Sequence, residues 1–117
     1  MTDAGPPNPP GSIRVAVEGD ELVLHLQGEI DAATVRHYET AAAQGRDPSA
    51  AAATQRVTVI DAAGVTFLNS IGVRFLLRQT EVAREAGRRP RLRRPTRPVR
   101  LVLRLTGLEE IFDVVEW

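Results

Sequence analysis

A strand gives way to a helix between residues 57 and 77, where the sequence reads VTVIDAAGVTFLNSIGVRFLL. Its first part, Val57–Asp61, is short, β-branched and continuous, which is typical of a strand buried on both faces. A turn is predicted after this strand, and Phe67-Leu68 is expected to return to apolar surroundings. Helical spacing of apolar residues then runs from Ser70 to Ala86. Gly72 lies in the first turn of that helix, where glycine costs about 1 kcal/mol relative to alanine, so we expect a neighbouring segment to press against it.

This predicted helix has two apolar sides. The side expected to face the core consists of Val73, Leu76, Leu77, Thr80 and Ala83. Nearly opposite lies a strip formed by Ile71, Phe75 and Val82, bordered by the charged residues Arg74, Arg78 and Glu85. An apolar strip inside a charged frame is the anatomy of a small protein interface, and we expect Ile71 at least to be exposed. The alternative is that the last helix of the chain packs over the strip.

The residues before this segment predict a hairpin and a helix. Period-two apolar patterning on both sides of Gly19-Asp20 indicates two antiparallel strands joined by a turn. The run Gly28–Asp31 is expected to break the second strand. Asp31 is then well placed to cap a helix that extends from Ala32 to Gln44. Residues 45–55 are predicted to be a connector, in which Pro48 should end any entering helix and the alanines could restart a turn.

The residues after it predict one more helix between two strands. Arg89–Arg93 is poor in apolar residues and is predicted to be a weak, peripheral strand. Pro95 or Pro98 opens a helix that ends before Thr106-Gly107, and a final strand covers Phe112–Trp117. The fold class is therefore α/β, a single domain with a small mostly parallel or mixed β-sheet packed against three or four helices. Residues 1–11 hold four prolines and two glycines and are predicted to be a disordered leader to the domain at 12–117.

Composition excludes several classes of function. The chain of 117 residues has fifteen basic and fifteen acidic side chains, which argues against electrostatic attraction to nucleic acid or membrane. There is no cysteine, and no apolar run approaches the roughly 20 residues that span a bilayer. His25 and His37 lack metal-ligand spacing, and capping or turn formation explains Asp31 and Asp61 better than a catalytic pair does. We therefore expect a cytoplasmic binding protein that is not an enzyme and has no cofactor or metal.

A basic segment remains to be explained. Nine of the fifteen arginines lie between Arg84 and Arg104, but the segment contains no aromatic residue on which bases could stack. Three prolines also interrupt it. A solvated face or an acidic protein partner explains the arginines better than nucleic acid does.

Ser70 has two possible roles at the start of its helix. As an N-cap it would bond an unpaired backbone amide, a contribution of about 1 kcal/mol. As a phosphorylation site it would hold an anion where the helix dipole favours one. The phosphate would bring nearly two negative charges to the surface and disrupt an apolar or acidic contact while the fold is preserved.

Three segments together resemble STAS domains. In that family a strand ending in aspartate leads to a phenylalanine, then to D-S-S-G or a close variant, then to an apolar helix, as Val57–Leu77 does here. Gly28–Asp31 is similar to the family's G-E-L-D, and Leu105–Phe112 is similar to the end of its last helix and its T-G-L turn. The resemblance covers residues 13–117 in order.

The resemblance implies an anti-sigma factor antagonist. Such proteins bind a kinase-type anti-sigma factor, which releases its sigma factor, and the kinase inactivates them by phosphorylating a serine that corresponds to Ser70. Here Asn69 replaces the preceding aspartate and Ile71 replaces the second serine. The implied partner is an anti-sigma factor serine kinase, and the protein is expected to be a monomer or weak dimer. The predicted partner-binding residues are Asp31, Asn69, Ser70, Ile71, Arg74, Phe75 and Arg78.

Two other functions stay open for a domain of this family. One is a cytoplasmic accessory subunit of a lipid or solute transporter, and the other is a scaffold subunit of a sensory assembly. Transport-linked examples tend towards threonine-alanine-glycine where this chain has Ser70-Ile71-Gly72, which favours the regulatory function.

Overall fold

The hairpin predicted around Gly19-Asp20 forms one edge of the sheet in the computed structural model, which describes residues 10–117. Residues 1–9 of the predicted leader lie outside the described residues. Strand β1 (Ser12–Glu18) pairs antiparallel with β2 (Glu21–Ile30). The predicted break of this second strand at Gly28 is wrong. Gly28 has a φ of 73°, a left-handed conformation that suits glycine, and the strand passes through it with a shift in register.

The remaining elements alternate between helices and parallel strands. In chain order they are α1 (Ala32–Ala43), α2 (Pro48–Ala53), β3 (Val59–Leu68), α3 (Ser70–Gln79), α4 (Glu81–Glu85), β4 (Arg91–Arg93), α5 (Arg97–Leu105), a 3₁₀ turn (Glu109–Ile111) and β5 (Asp113–Val115). The five strands lie in the order β1-β2-β3-β4-β5, and every pair after the hairpin is parallel. The predicted α/β class with a mixed sheet is confirmed.

Several predicted boundaries differ from the structure. Strand β3 was expected to end at Asp61, yet it continues to Leu68 because β2 continues beside it and pairs with it up to Ile30. Strand β4 is not peripheral, since it lies between β3 and β5. Helix α1 already ends at Ala43, before Pro48, and the alanines after Pro48 form α2, where the Asp47 side chain accepts a hydrogen bond from the Ala50 amide at 3.1 Å.

One face of the sheet carries the hydrophobic core. A single row of paired residues crosses all five strands on this face: Val15, Leu24, Ile60, Leu92 and Val114. Apolar residues of α1, α3 and α5 complete the core, among them Val35, Leu76 and Val99. The helices therefore pack on this face, which explains why β4 needs only one buried apolar side chain.

The other face carries a cluster of charged residues centred on Asp61. The adjacent row there reads Arg14, His25, Asp61, Arg93 and Val115. Arg93 Nε and Arg94 Nη2 donate to Asp61 Oδ2 at 3.0 and 2.8 Å, and the Ala63 amide donates to Oδ1 at 3.0 Å. Burial alone would raise the pKa of Asp61, but these three donors outweigh it and hold the pKa below its ordinary value.

The first prediction concerns the pH dependence that this carboxylate confers. Asp61→Asn keeps the size of the side chain but removes its charge, and we expect the free energy of unfolding at pH 7 to fall by about 2 kcal/mol. Because the pKa of Asp61 is depressed in the folded state, its stabilisation is complete above the ordinary aspartate pKa and is lost as the pH falls below it. Urea unfolding of both proteins at pH 7 and at pH 3 should therefore show a difference that shrinks in acid. A constant difference would contradict the ionic explanation.

Gly72 fixes the position of α3 against the sheet. A Cβ at this residue would lie 2.6 Å from the carbonyl oxygen of Ile30 and 2.6 Å from Leu68 Cδ1. The sequence prediction of a neighbour pressing on this turn is confirmed, and the neighbour is the end of β2. Only a residue without a side chain allows the helix to approach this closely.

The second prediction follows from this contact. Gly72→Ala should lower the free energy of unfolding by about 1–3 kcal/mol, because overpacking outweighs the higher helix propensity of alanine. Gly64→Ala is the matched control, since the atom nearest to its new methyl group would be Cγ of the flexible Gln27 side chain, at 3.0 Å, and the nearest backbone atom would be at 3.6 Å. Urea unfolding of the two variants should differ clearly, and equal stabilities would mean that α3 is free to shift.

Candidate partner-binding site

Two helices begin side by side where two neighbouring strands, β2 and β3, end. Ile30 and Leu68 are paired at the ends of β2 and β3, and the chain enters α1 and α3 directly after them. Asp31 Oδ1 accepts a hydrogen bond from the Thr34 amide at 3.0 Å, so the predicted capping by Asp31 is confirmed. Asn69 Oδ1 accepts one from the Gly72 amide at 3.0 Å. The positive ends of two helix dipoles therefore lie together at the carboxyl ends of β2 and β3.

Ser70 is the first residue of α3 and is exposed. The sequence left open whether this serine serves only as a cap. The structure assigns the cap to Asn69, whose side-chain oxygen accepts a hydrogen bond from the Gly72 amide. The Ser70 hydroxyl is therefore not required for capping and lies on the surface at the helix start. Its phosphorylation stays a prediction.

The apolar strip predicted along the helix is shorter than expected. Ile71 is 40% exposed, as predicted, but Phe75 is completely buried, so the prediction that Phe75 belongs to an apolar surface strip is wrong. The Phe75 ring packs edge-on against Tyr38 of α1, with ring centroids 5.5 Å apart. Helix α1 therefore covers this side, rather than the last helix. Val82 is exposed but belongs to α4, since the predicted long helix is interrupted at Thr80.

The other side of the helix matches the sequence prediction. The buried residues there are Val73, Leu76, Thr80 and Ala83, while Leu77 is partly buried. The two arginines predicted to bind a partner, Arg74 and Arg78, are exposed. Arg78 also forms an ion pair with Glu39 of α1, so its guanidinium group bridges two helices.

One exposed aromatic residue near the site was missed. Phe67 was expected in apolar surroundings, but it is 46% exposed, whereas the next residue, Leu68, is buried. Regular alternation would not have found it, because it places Phe67 on the face of the buried Val65. The register shifts at Thr66, between the pairs Gly28–Val65 and Glu29–Phe67, and reverses the faces. Phe67 pairs with Glu29 of β2, which lies two residues before Asp31. Phe67 is therefore at the same end of the strands as the two helix starts. It therefore adds exposed apolar surface near the end of the strand that leads into α3.

The groups considered for catalysis are spread over the molecule. His25 Nε2 lies 3.0 Å from Glu18 Oε2 on the polar face of the sheet. Asp61 and Asp31 do not share a cleft, since seven residues of β3, or roughly 20 Å, separate Asp61 from the end where Asp31 lies. Within residues 10–117, no three His, Asp or Glu residues are grouped to hold a metal ion. Nor does this part of the chain contain a helix long and apolar enough to cross a membrane.

The basic segment is largely paired within the chain. Seven of its nine arginines contact a carboxylate or a backbone carbonyl: Arg84, Arg89, Arg91, Arg93, Arg94, Arg100 and Arg104. Their partners lie mostly on the polar face of the sheet and around α5. Internal ion pairing therefore accounts for most of this segment.

Fold and site define a small α/β domain that presents an exposed serine where a helix leaves the sheet. The family model described as "Mlab, STAS domain" matches residues 13–116, and the chain belongs to this STAS domain family. The resemblance drawn from the sequence is confirmed. No curated protein sequence matches the chain.

Solved structures of anti-sigma factor antagonists are similar to this chain. An antagonist from Mycobacterium paratuberculosis is 27% identical, with a TM-score of 0.64 over 89% of this chain and 84% of the other. The antagonist SpoIIAA in its unphosphorylated form is 24% identical, with a TM-score of 0.60 over 88% and 87%. The Bacillus cell fate determinant SpoIIAA in the phosphorylated form is 24% identical, with a TM-score of 0.53 over 88% and 90%. The two SpoIIAA structures support the fold alone.

The third prediction contrasts Phe75 with Ile71. Phe75→Ala should lower the free energy of unfolding by about 3–5 kcal/mol, because it empties a buried site that Tyr38 closes. Ile71→Ala is the matched control on the same helix and should change stability by less than about 1 kcal/mol, since Ile71 is partly exposed. Thermal or urea unfolding measures both. A similar loss in the two variants would mean that Ile71 is part of the core.

Proposed function

We propose that this protein is an anti-sigma factor antagonist. It binds and sequesters a kinase-type anti-sigma factor and is switched off when the kinase phosphorylates Ser70. The observation that carries the proposal is the exposed Ser70 hydroxyl at the first residue of α3, left free of capping by Asn69, on a fold shared with antagonists. In this proposal the domain is a binding module without catalytic activity of its own.

The geometry around Ser70 suits a reversible switch. A phosphate there would lie at a helix N-terminus, where the dipole and unpaired amides favour an anion, so the fold should tolerate it. Arg74 lies four residues further along α3, which places it beside Ser70 on the helix surface. A phosphate would therefore attract the Arg74 side chain and change two parts of the surface at once.

The proposed partner surface combines apolar and polar groups. Ile71 and Phe67 supply exposed apolar area, while Asp31 and Asn69 hold the two helix starts in place. Two negative charges added at Ser70, directly before Ile71, would oppose an apolar contact there. Phosphorylation would thus abolish binding without unfolding the domain.

A second candidate function is an accessory subunit of a lipid or solute transporter. This candidate stays open because the description of the matching family model, "Mlab, STAS domain", does not mention antagonists. The gene neighbourhood separates the two candidates. An adjacent kinase-like reading frame supports regulation, and an adjacent permease supports transport.

The fourth prediction tests Ser70 directly. With a kinase-type anti-sigma factor encoded beside the gene, Ser70→Ala should bind as tightly as the wild type but acquire no phosphate. Ser70→Asp should bind at least about tenfold more weakly, which corresponds to about 1.4 kcal/mol, because it places a carboxylate inside the contact. Calorimetry measures the affinities, and mass spectrometry after incubation with ATP locates the phosphate.

Ser49→Asp is the matched control, because Ser49 is an exposed serine in the first turn of α2. It adds the same charge at another helix start and should bind normally. Ile71→Arg should abolish binding while the melting temperature hardly changes. Phosphate at a residue other than Ser70, or equal affinities of Ser70→Ala and Ser70→Asp, would contradict the proposed switch.

A further inference from the structure

The exposed side of α5 carries a small apolar patch. Leu101 and Leu105 lie one turn apart on this side, and they are 49% and 76% exposed. Leu105 is the most exposed large apolar residue between residues 10 and 117. The opposite side of the helix supplies the core, since Val99 and Leu103 are buried there. The domain itself therefore leaves the patch of Leu101 and Leu105 uncovered.

Charges of opposite sign lie at the two ends of this patch. Arg97, the first residue of α5, is exposed and lies one turn before Leu101 on the same side of the helix. At the other end Gly107, with a φ of 74°, turns the chain back after the helix. This turn brings Glu109 Oε2 to 3.9 Å from Arg104 Nε, so the carboxylate lies beside the last turn of α5.

This arrangement is complementary to a copy of itself. A two-fold axis midway between Leu101 and Leu105 would make two α5 helices antiparallel and bring Leu101 of each copy against Leu105 of the other. The same axis brings Arg97 of one copy opposite Glu109 of the other. Arg97 and Arg104 are seven residues, or about two turns, apart, so Arg97 and the carboxylate beside Arg104 lie on the same flank of the patch. A two-fold axis of this kind makes these flanks meet.

The charges also select the occupant of the patch. Arg97 forms no ion pair with any other residue of the 10–117 range. The Glu109 side chain is 45% exposed, and its contact with Arg104 is long, so its oxygens can accept from a second guanidinium group. An anionic membrane or an acidic protein would attract Arg97 but repel Glu109 and the exposed Glu110 beside it. A second copy of the chain satisfies both ends.

We propose that α5 is a two-fold interface through which two copies of this chain form a weak dimer. Two leucines supply much less area than the roughly 800 Å² that each partner buries in a standard interface. We therefore expect a dissociation constant of about 0.1 mM. Of the two states expected from the sequence, monomer and weak dimer, this interface favours the second. It contains none of the predicted partner-binding residues, so it does not depend on the function proposed above.

Removal of the patch tests the interface. Sedimentation equilibrium between about 10 µM and 1 mM spans the expected dissociation constant of the wild-type chain. Leu105→Ser should leave a monomer over this range, with little change in melting temperature because the side chain is exposed. Val17→Ser is the matched control, since Val17 is 66% exposed on the edge strand β1 and its replacement should leave the dimer unchanged.

A charge exchange tests the two-fold geometry. Arg97→Glu places like charges opposite each other, as does Glu109→Arg, and each should weaken the dimer about tenfold because the contact occurs twice. The double variant Arg97→Glu/Glu109→Arg restores opposite charges across the axis and should recover the wild-type dissociation constant. A wild-type chain that is monomeric at the highest concentration would overturn the proposal. A Leu105→Ser dimer as tight as the wild type, or a double variant as weak as the single ones, would also overturn it.

Discussion

The close approach of Gly72 to the carbonyl oxygen of Ile30 is the contact on which the geometry of the site depends. It holds the first turn of α3 against the end of β2, where α1 also begins. A side chain at residue 72 would push the helix away and separate the two helix starts. The exposed serine is thus positioned by backbone packing beneath it and not by its own contacts. The cap that holds the helix start comes from Asn69 and not from the serine hydroxyl.

The two faces of the sheet explain why so many arginines lie in one segment of the chain. Helices cover one face, but arginines and carboxylates cover much of the other. Val23 and Val59 are almost completely buried on this second face, where they pair with each other and neighbour Arg91 and Asp113 in the same row. Arginine side chains can shield apolar residues with their methylene groups while the guanidinium groups remain solvated or paired. The arginines of the basic segment therefore shield apolar residues on this face from water, as a second layer of helices would.

Local patterns in the sequence identified what depends on neighbours along the chain. The hairpin, the cap at Asp31 and the buried side of α3 follow from spacing and side-chain chemistry alone, and all three are present. Which element covers an apolar residue depends on tertiary packing. Helical spacing therefore placed Phe75 on the outer strip, although Tyr38 of α1 covers it. In the same way the sequence ended β3 at Asp61, although β2 pairs with it as far as Leu68.

The sheet also has two edges, and their construction affects how the protein behaves at high concentration. An edge strand offers unpaired amides and carbonyls, to which a strand of another molecule can add. Within residues 10–117 one edge is β1, which carries the exposed charges of Arg14 and Glu18, and the other is β5, only three residues long. Charge on one edge and shortness of the other both disfavour strand addition between molecules. Both features therefore guard the domain against fibrous self-association.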